Sequence, residues 1–138
     1  ANVLKADGST LFPGTGMKDF GPVQVGFIGM TLKETATLVS PAGVAGLTFA
    51  DEAATANAAV PQLQAAGADA IVLLIHQGAR TDGLYNDRSC PGLSGDLLPI
   101  LDKLDPAISV VVSGHTHRAY VCDYKRPGGA PLLLTSAG

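Results

Sequence analysis

Residues 108–120 read ISVVVSGHTHRAY. An apolar run rich in valine stops at Gly114, and two histidines follow at i and i+2. The 138-residue chain holds only three histidines. The third, His76, closes a second apolar run, in DAIVLLIHQG at 69–78. Continuous apolar runs that end at glycine predict strands covered on both faces. One loop and one helix separate the two runs, so the strands can be neighbours in one sheet. All three imidazoles then fall just beyond strand carboxyl ends.

Working outward from this pair, residues 23–30 predict a strand in which Gly26 and Gly29 allow close backbone approach. TATLVSP at 35–41 predicts a shorter strand stopped by Pro41. TFADEAATANAAVPQLQAAG at 48–67 is alanine-rich, with Asp51 and Glu52 near its start and Gly67 at its end. It predicts a helix with a kink or break at Pro61. Residues 79–95 form a long polar loop, a type that is often functional. SGDLLPILDKLD at 94–105 predicts a short or bent helix capped by Ser94. Residues 119–136 predict a hairpin turning on Pro127, Gly128 and Gly129. Helices alternating with apolar strands indicate an α/β layered fold, in which ligands sit beyond strand carboxyl ends.

Apolar residues make up 46% of the chain and charged residues 15%, which supports a single domain with a real core. No apolar run approaches membrane-spanning length. The net charge of −3 and the lack of any basic run argue against a nucleic-acid polymer as partner. The chain opens on ANVLKADG, without Met, and closes on LLLTSAG; both ends read as interior sequence. Cys90 and Cys122 lie outside any CxxC pattern. They are either a disulfide pair, implying an oxidising compartment, or two buried thiols. Their place in loop sequence punctuated by glycine and proline favours the pair.

Three imidazoles at one sheet edge suggest part of a metal site. In an extended segment His115 and His117 share a face and can reach one metal or two adjacent ones. Gly114 would let the chain turn to aim them, and Thr116 would point away and tie down the loop. Asp82, Asp87 and Asp123 are either partners that orient an imidazole or solvated loop carboxylates. There is no GxSxG elbow and no P-loop.

AIVLLIHQG followed by ISVVVSGHTHRAY resembles the later half of the calcineurin-like metallophosphoesterases. More narrowly, it is similar to the secreted bacterial 5′-nucleotidase and 2′,3′-cyclic-nucleotide phosphodiesterase family. VGFIGMTLKETATLVSP and the stretch from Gly46 to Gly78 resemble the middle region of that family. The resemblance implies an α/β sandwich of the metallophosphoesterase type, of which residues 1–138 are the C-terminal half of the catalytic domain. It implies two divalent metal ions (Zn, Mn, Fe, Co or Ca) and a nucleotide or other phosphate-ester substrate. His76 and His115 would ligate one metal together with an asparagine. His117 would ligate the other, and an aspartate would bridge the two. A periplasmic or extracellular location follows from the same resemblance.

The family's D-x-H, G-D and G-N-H-[DE] motifs are absent from these residues, and Asn2 does not stand in for the missing asparagine. The expectation is a fragment of a phosphohydrolase that is inactive by itself. It would leave sheet surface uncovered for the missing N-terminal half or for a homodimer. The alternative is a complete, non-catalytic metal-binding or interaction module.

Overall fold

A computed structural model describes all residues, 1–138. The two histidine-ended runs form adjacent parallel strands, β5 (Ala70–Ile75) and β6 (Ile108–Ser113). Strand β3 (Val23–Met30) lies parallel on the other side of β5, and β8 (Pro131–Ala137) lies parallel to β6. An antiparallel strand flanks each side of this parallel core. These are β2 (Thr15–Phe20) on β3 and β7 (Ala119–Lys125) on β8. The sheet order is β2-β3-β5-β6-β8-β7. Two short strands, β1 (Val3–Leu4) and β4 (Thr48–Phe49), pair apart from it. The hairpin forms as expected, with Gly128 and Gly129 both at positive φ in its turn.

Strand alternation sends Ile28 and Met30, Ile71, Leu73 and Ile75, Ile108 and Val111, and Leu132 and Leu134 to one buried face. A bulge at Ser109 keeps Ile108 and Val111 on that side although they are three residues apart. Helix α2 (Glu52–Ala65) covers this face with Ala53, Ala56, Val60 and Leu63. Leu97, Leu101 and Leu104 of the short α3 region (Leu98–Leu101) complete the layer. A Cβ at Gly26 would stand 3.2 Å from the Leu63 methyls, so the glycine sets how closely α2 seats.

The opposite face is bare. Leu74 and Val112 are 41% and 42% exposed, and Phe27, Val72, Val110 and Leu133 are half-buried around them. The expectation of strands covered on both faces is therefore corrected. An apolar run records only that both sides of a strand prefer to avoid water, not which element of this chain covers each side.

Three local expectations also change. Residues 35–41 form no strand: one helical turn, α1 (Thr35–Leu38), leads into a 3₁₀ turn at Pro41–Val44. The Thr37 hydroxyl donates to the Glu34 carbonyl at 2.8 Å, so a β-prone residue curls the chain instead. Pro61 does not break α2, which runs on from Glu52 to Ala65 with the proline inside it. Losing one backbone hydrogen bond and crowding the preceding turn costs about 3 kcal/mol. Burial of Val60 and Leu63 on either side offsets that at roughly 1.5–3 kcal/mol each. Asp51 is the N-cap, accepting the Ala54 amide at 3.0 Å. Finally, Ser94 does not cap α3. It exchanges two backbone hydrogen bonds of 2.9 Å with Arg80, and the helix starts later.

Candidate metal site

The carboxyl ends of β3, β5 and β6 share one sheet edge, and the His76 amide donates to the Met30 carbonyl there at 3.0 Å. His76 follows β5 directly. His115 follows β6 after Gly114. Nε2 of His76 and Nδ1 of His115 lie 3.3 Å apart, with the rings nearly edge-on at 69°. Both side chains are exposed at the surface.

Three contacts hold the two loops against each other. The Gly114 amide donates to the Gln77 carbonyl at 3.2 Å. The Thr116 hydroxyl donates to the Ala79 carbonyl at 2.7 Å, the tie-down role expected of it. The Ala79 amide donates to the buried Tyr120 hydroxyl at 3.0 Å. Ser113 Oγ meets the same hydroxyl at 2.7 Å and donates to the Thr135 carbonyl at 2.9 Å. The loops come so near that a Cβ on Gly78 would collide with the Gly114 carbonyl and stand 2.6 Å from Thr116 Oγ1. Glycine at 78 is thus a steric requirement of the site.

The turn itself differs from expectation. Gly114 is not the residue with unusual backbone; His115 and His117 are, at φ of 66° and 52°. Left-handed backbone costs a non-glycine residue about 1–2 kcal/mol. The segment is therefore not extended, and the reading that His115 and His117 share one strand face is corrected. The structure brings His76 and His115 together, and His117, two residues on, is exposed and shares no hydrogen bond with either. No group of three His, Cys, Asp or Glu side chains gathers at metal-binding spacing.

A chemical test of fit is available from the pair alone. Two nitrogens each about 2.0–2.1 Å from one tetrahedral ion stand about 3.3 Å apart. The His76–His115 spacing matches that value. These residues fit two positions of one metal site and supply no others.

The loop carboxylates serve elsewhere. Asp87 accepts from the Ser89 amide and hydroxyl at 3.0 and 2.7 Å, which lowers its pKa. Asp123 pairs with Arg88, whose hydrogen bonds likewise lower its pKa. Asp82 stands against Gly92. Asn2 is fully buried and structural: its amide donates to the Thr31 and Ala50 carbonyls and accepts the Thr31 amide.

Cys90 and Cys122 are joined by a disulfide, Cα atoms 5.6 Å apart. It fastens the 79–95 loop to β7. Beside it the Val121 amide donates to the Tyr85 carbonyl at 3.1 Å, and the Asp123 amide to the Arg88 carbonyl at 2.9 Å. The long loop is thus knitted along the outer edge of β7. One buried group had no sequence signal at all. Arg126 is 5% exposed and donates to the carbonyls of Asp105, Pro106, Ala130 and Pro131, closing the hairpin onto the β6 approach.

No protein-family model matches the chain. Among curated proteins it is 29% identical over 115 residues to Endonuclease YhcR of Bacillus subtilis, covering 83% of this chain and 9% of that protein. It is 32% identical over 107 residues to Cell wall protein Lmo0130 of Listeria monocytogenes, covering 74% of this chain and 14% of that one. The chain therefore spans only a small part of the curated relatives it matches. Among solved structures, a candidate 5′-nucleotidase of Staphylococcus aureus superposes with a TM-score of 0.76 at 23% identity, over all of this chain and 26% of that one. The calcineurin-like phosphoesterase YfkN of Bacillus subtilis gives 0.71 at 21%, over 99% and 45%. A 5′-nucleotidase precursor of Thermus thermophilus gives 0.70 at 25%, over 99% and 27%. No helix of the chain is long and apolar enough to cross a membrane. The chain carries the calcineurin-like metallophosphoesterase fold of the 5′-nucleotidases, over a part of the length of those proteins.

Proposed function

We propose that residues 1–138 are the C-terminal half of the catalytic domain of a metal-dependent phosphohydrolase acting on nucleotides or related phosphate esters. The observation that carries this reading is the 3.3 Å approach of two imidazole nitrogens at the carboxyl edge of a parallel sheet. His76 and His115 hold one divalent ion, and His117 serves a second; the remaining ligands come from outside these residues. Such ions supply Lewis-acid stabilisation of phosphate oxygens and activation of water. Gly78, Thr116 and Tyr120 keep the two ligand loops in register before any metal arrives, so little reorganisation is left for binding.

The bare apolar face is the seat of the rest of the domain. A periplasmic or extracellular setting is supported by the disulfide and by the cell-wall name of one relative. Zinc and manganese titrations of the chain, each beside His76→Ala and His115→Ala, test the proposal. Binding lost in both variants supports it. Equal binding by wild type and both variants would refute the metal assignment.

A further inference from the structure

We infer that Arg80 anchors the phosphate group of the substrate in the cavity beside His115, an inference that rests on the phosphohydrolase reading. A cavity of about 550 Å³ opens next to the histidine pair, its wall including Gln77, Gly78, Arg80 and His115. Arg80 is the one guanidinium or ammonium group on that wall. Glu34 and Asp96 also line it, so without Arg80 the wall carries only carboxylate charge, which repels phosphate.

The arginine is held by its backbone and left free at its tip. Its amide and carbonyl exchange 2.9 Å hydrogen bonds with Ser94. The preceding residue, Ala79, is fixed at both its amide and its carbonyl. The chain's two ion pairs are Lys33–Asp51 and Arg88–Asp123, and Arg126 gives its donors to carbonyls. The Arg80 guanidinium has no protein acceptor. A planar fork of five donors, with a fixed root and a free end, matches the oxygens of a phosphate.

Calorimetric titration of inorganic phosphate into the chain, with and without zinc, tests this. Arg80 is exposed, so its variants should fold, which circular dichroism checks. Arg80→Ala and Arg80→Gln are expected to weaken phosphate binding by about tenfold or more, and Arg80→Lys by clearly less. Zinc affinity, measured in the same proteins, should not change. Phosphate affinity within about twofold of wild type in Arg80→Gln overturns the inference, as does a wild type that binds no phosphate. If zinc does not bind but Arg80-dependent phosphate binding persists, the metal reading falls and the Arg80 assignment stands.

Discussion

The Ala79 amide points at the hydroxyl of Tyr120, 3.0 Å away and 41 residues along the chain. That contact ties the loop after β5 to the strand after the GHTH turn, beneath both histidines. Tyr120→Phe keeps the ring in its 1%-exposed site and deletes only the hydroxyl. It leaves the buried Ala79 amide without a partner, a loss of about 1–3 kcal/mol. A urea midpoint shifted down at unchanged slope is the expected result; an unshifted midpoint would mean that water replaces the hydroxyl.

Gly78→Ala tests the close approach directly. The added methyl must push away the Gly114 carbonyl or Thr116, and either movement separates His76 from His115. Zinc affinity should fall by about tenfold or more, as for loss of a supporting contact around a metal ligand. Unchanged affinity would show that the loops adjust without moving the imidazoles.

Cys90 and Cys122 close a loop of 32 residues. Loop-closure entropy gives a stabilisation of about 3–4 kcal/mol for that length. Cys90→Ser with Cys122→Ser should therefore lower the urea midpoint substantially, and reductant should lower that of wild type alike. Equal stability with and without reductant is the contrary outcome.

Two groups make stability depend on pH at opposite ends of the scale. Asp51 has a lowered pKa, chiefly because it accepts the Ala54 amide and then because Lys33 is near. Its contribution is complete above the unfolded pKa of about 4 and fades as pH falls through the lower folded value. Asp51→Ala should cost about 0.5–2 kcal/mol at neutral pH and flatten the acid limb of the stability curve. Tyr124 is raised to about 12 by burial and by its hydrogen bond to Asp102. Its contribution is complete below about 10 and is lost as pH climbs through the folded value. Ultraviolet titration of phenolate should show one tyrosine ionising late, and Asp102→Asn should bring it earlier.

The bare face predicts self-association of the isolated chain. Sedimentation should show a concentration-dependent dimer, weakened by Leu74→Lys or by Val112→Lys at the exposed centre of that face. A strict monomer at millimolar concentration would count against it.

The parallel core and the placing of three histidines at strand ends were legible because apolar runs and glycine stops are strong local signals. The missing cover over Leu74 and Val112 was not, because a strand's composition records that a face needs burial and not what buries it. Thr35 and Thr37 mislead for a different reason: threonine suits strands, yet here each hydroxyl bonds back to a carbonyl three residues earlier. Strand β2 gives no pattern, since TGMKDF at the sheet edge is mostly exposed and has β3 as its one strand partner. In the site, the i, i+2 spacing puts His115 and His117 on one face of an extended segment, whereas positive φ at each takes that segment out of extended geometry.

The loop knitted along β7 also gives the sheet a direction. Val121 and Asp123 already spend their outward amides on Tyr85 and Arg88, so that side accepts no further strand. Strand β2, at the other end, has no such partner. Any chain that extends this sheet by strand addition, whether in assembly or in misassembly, must therefore join at β2, and growth is one-sided.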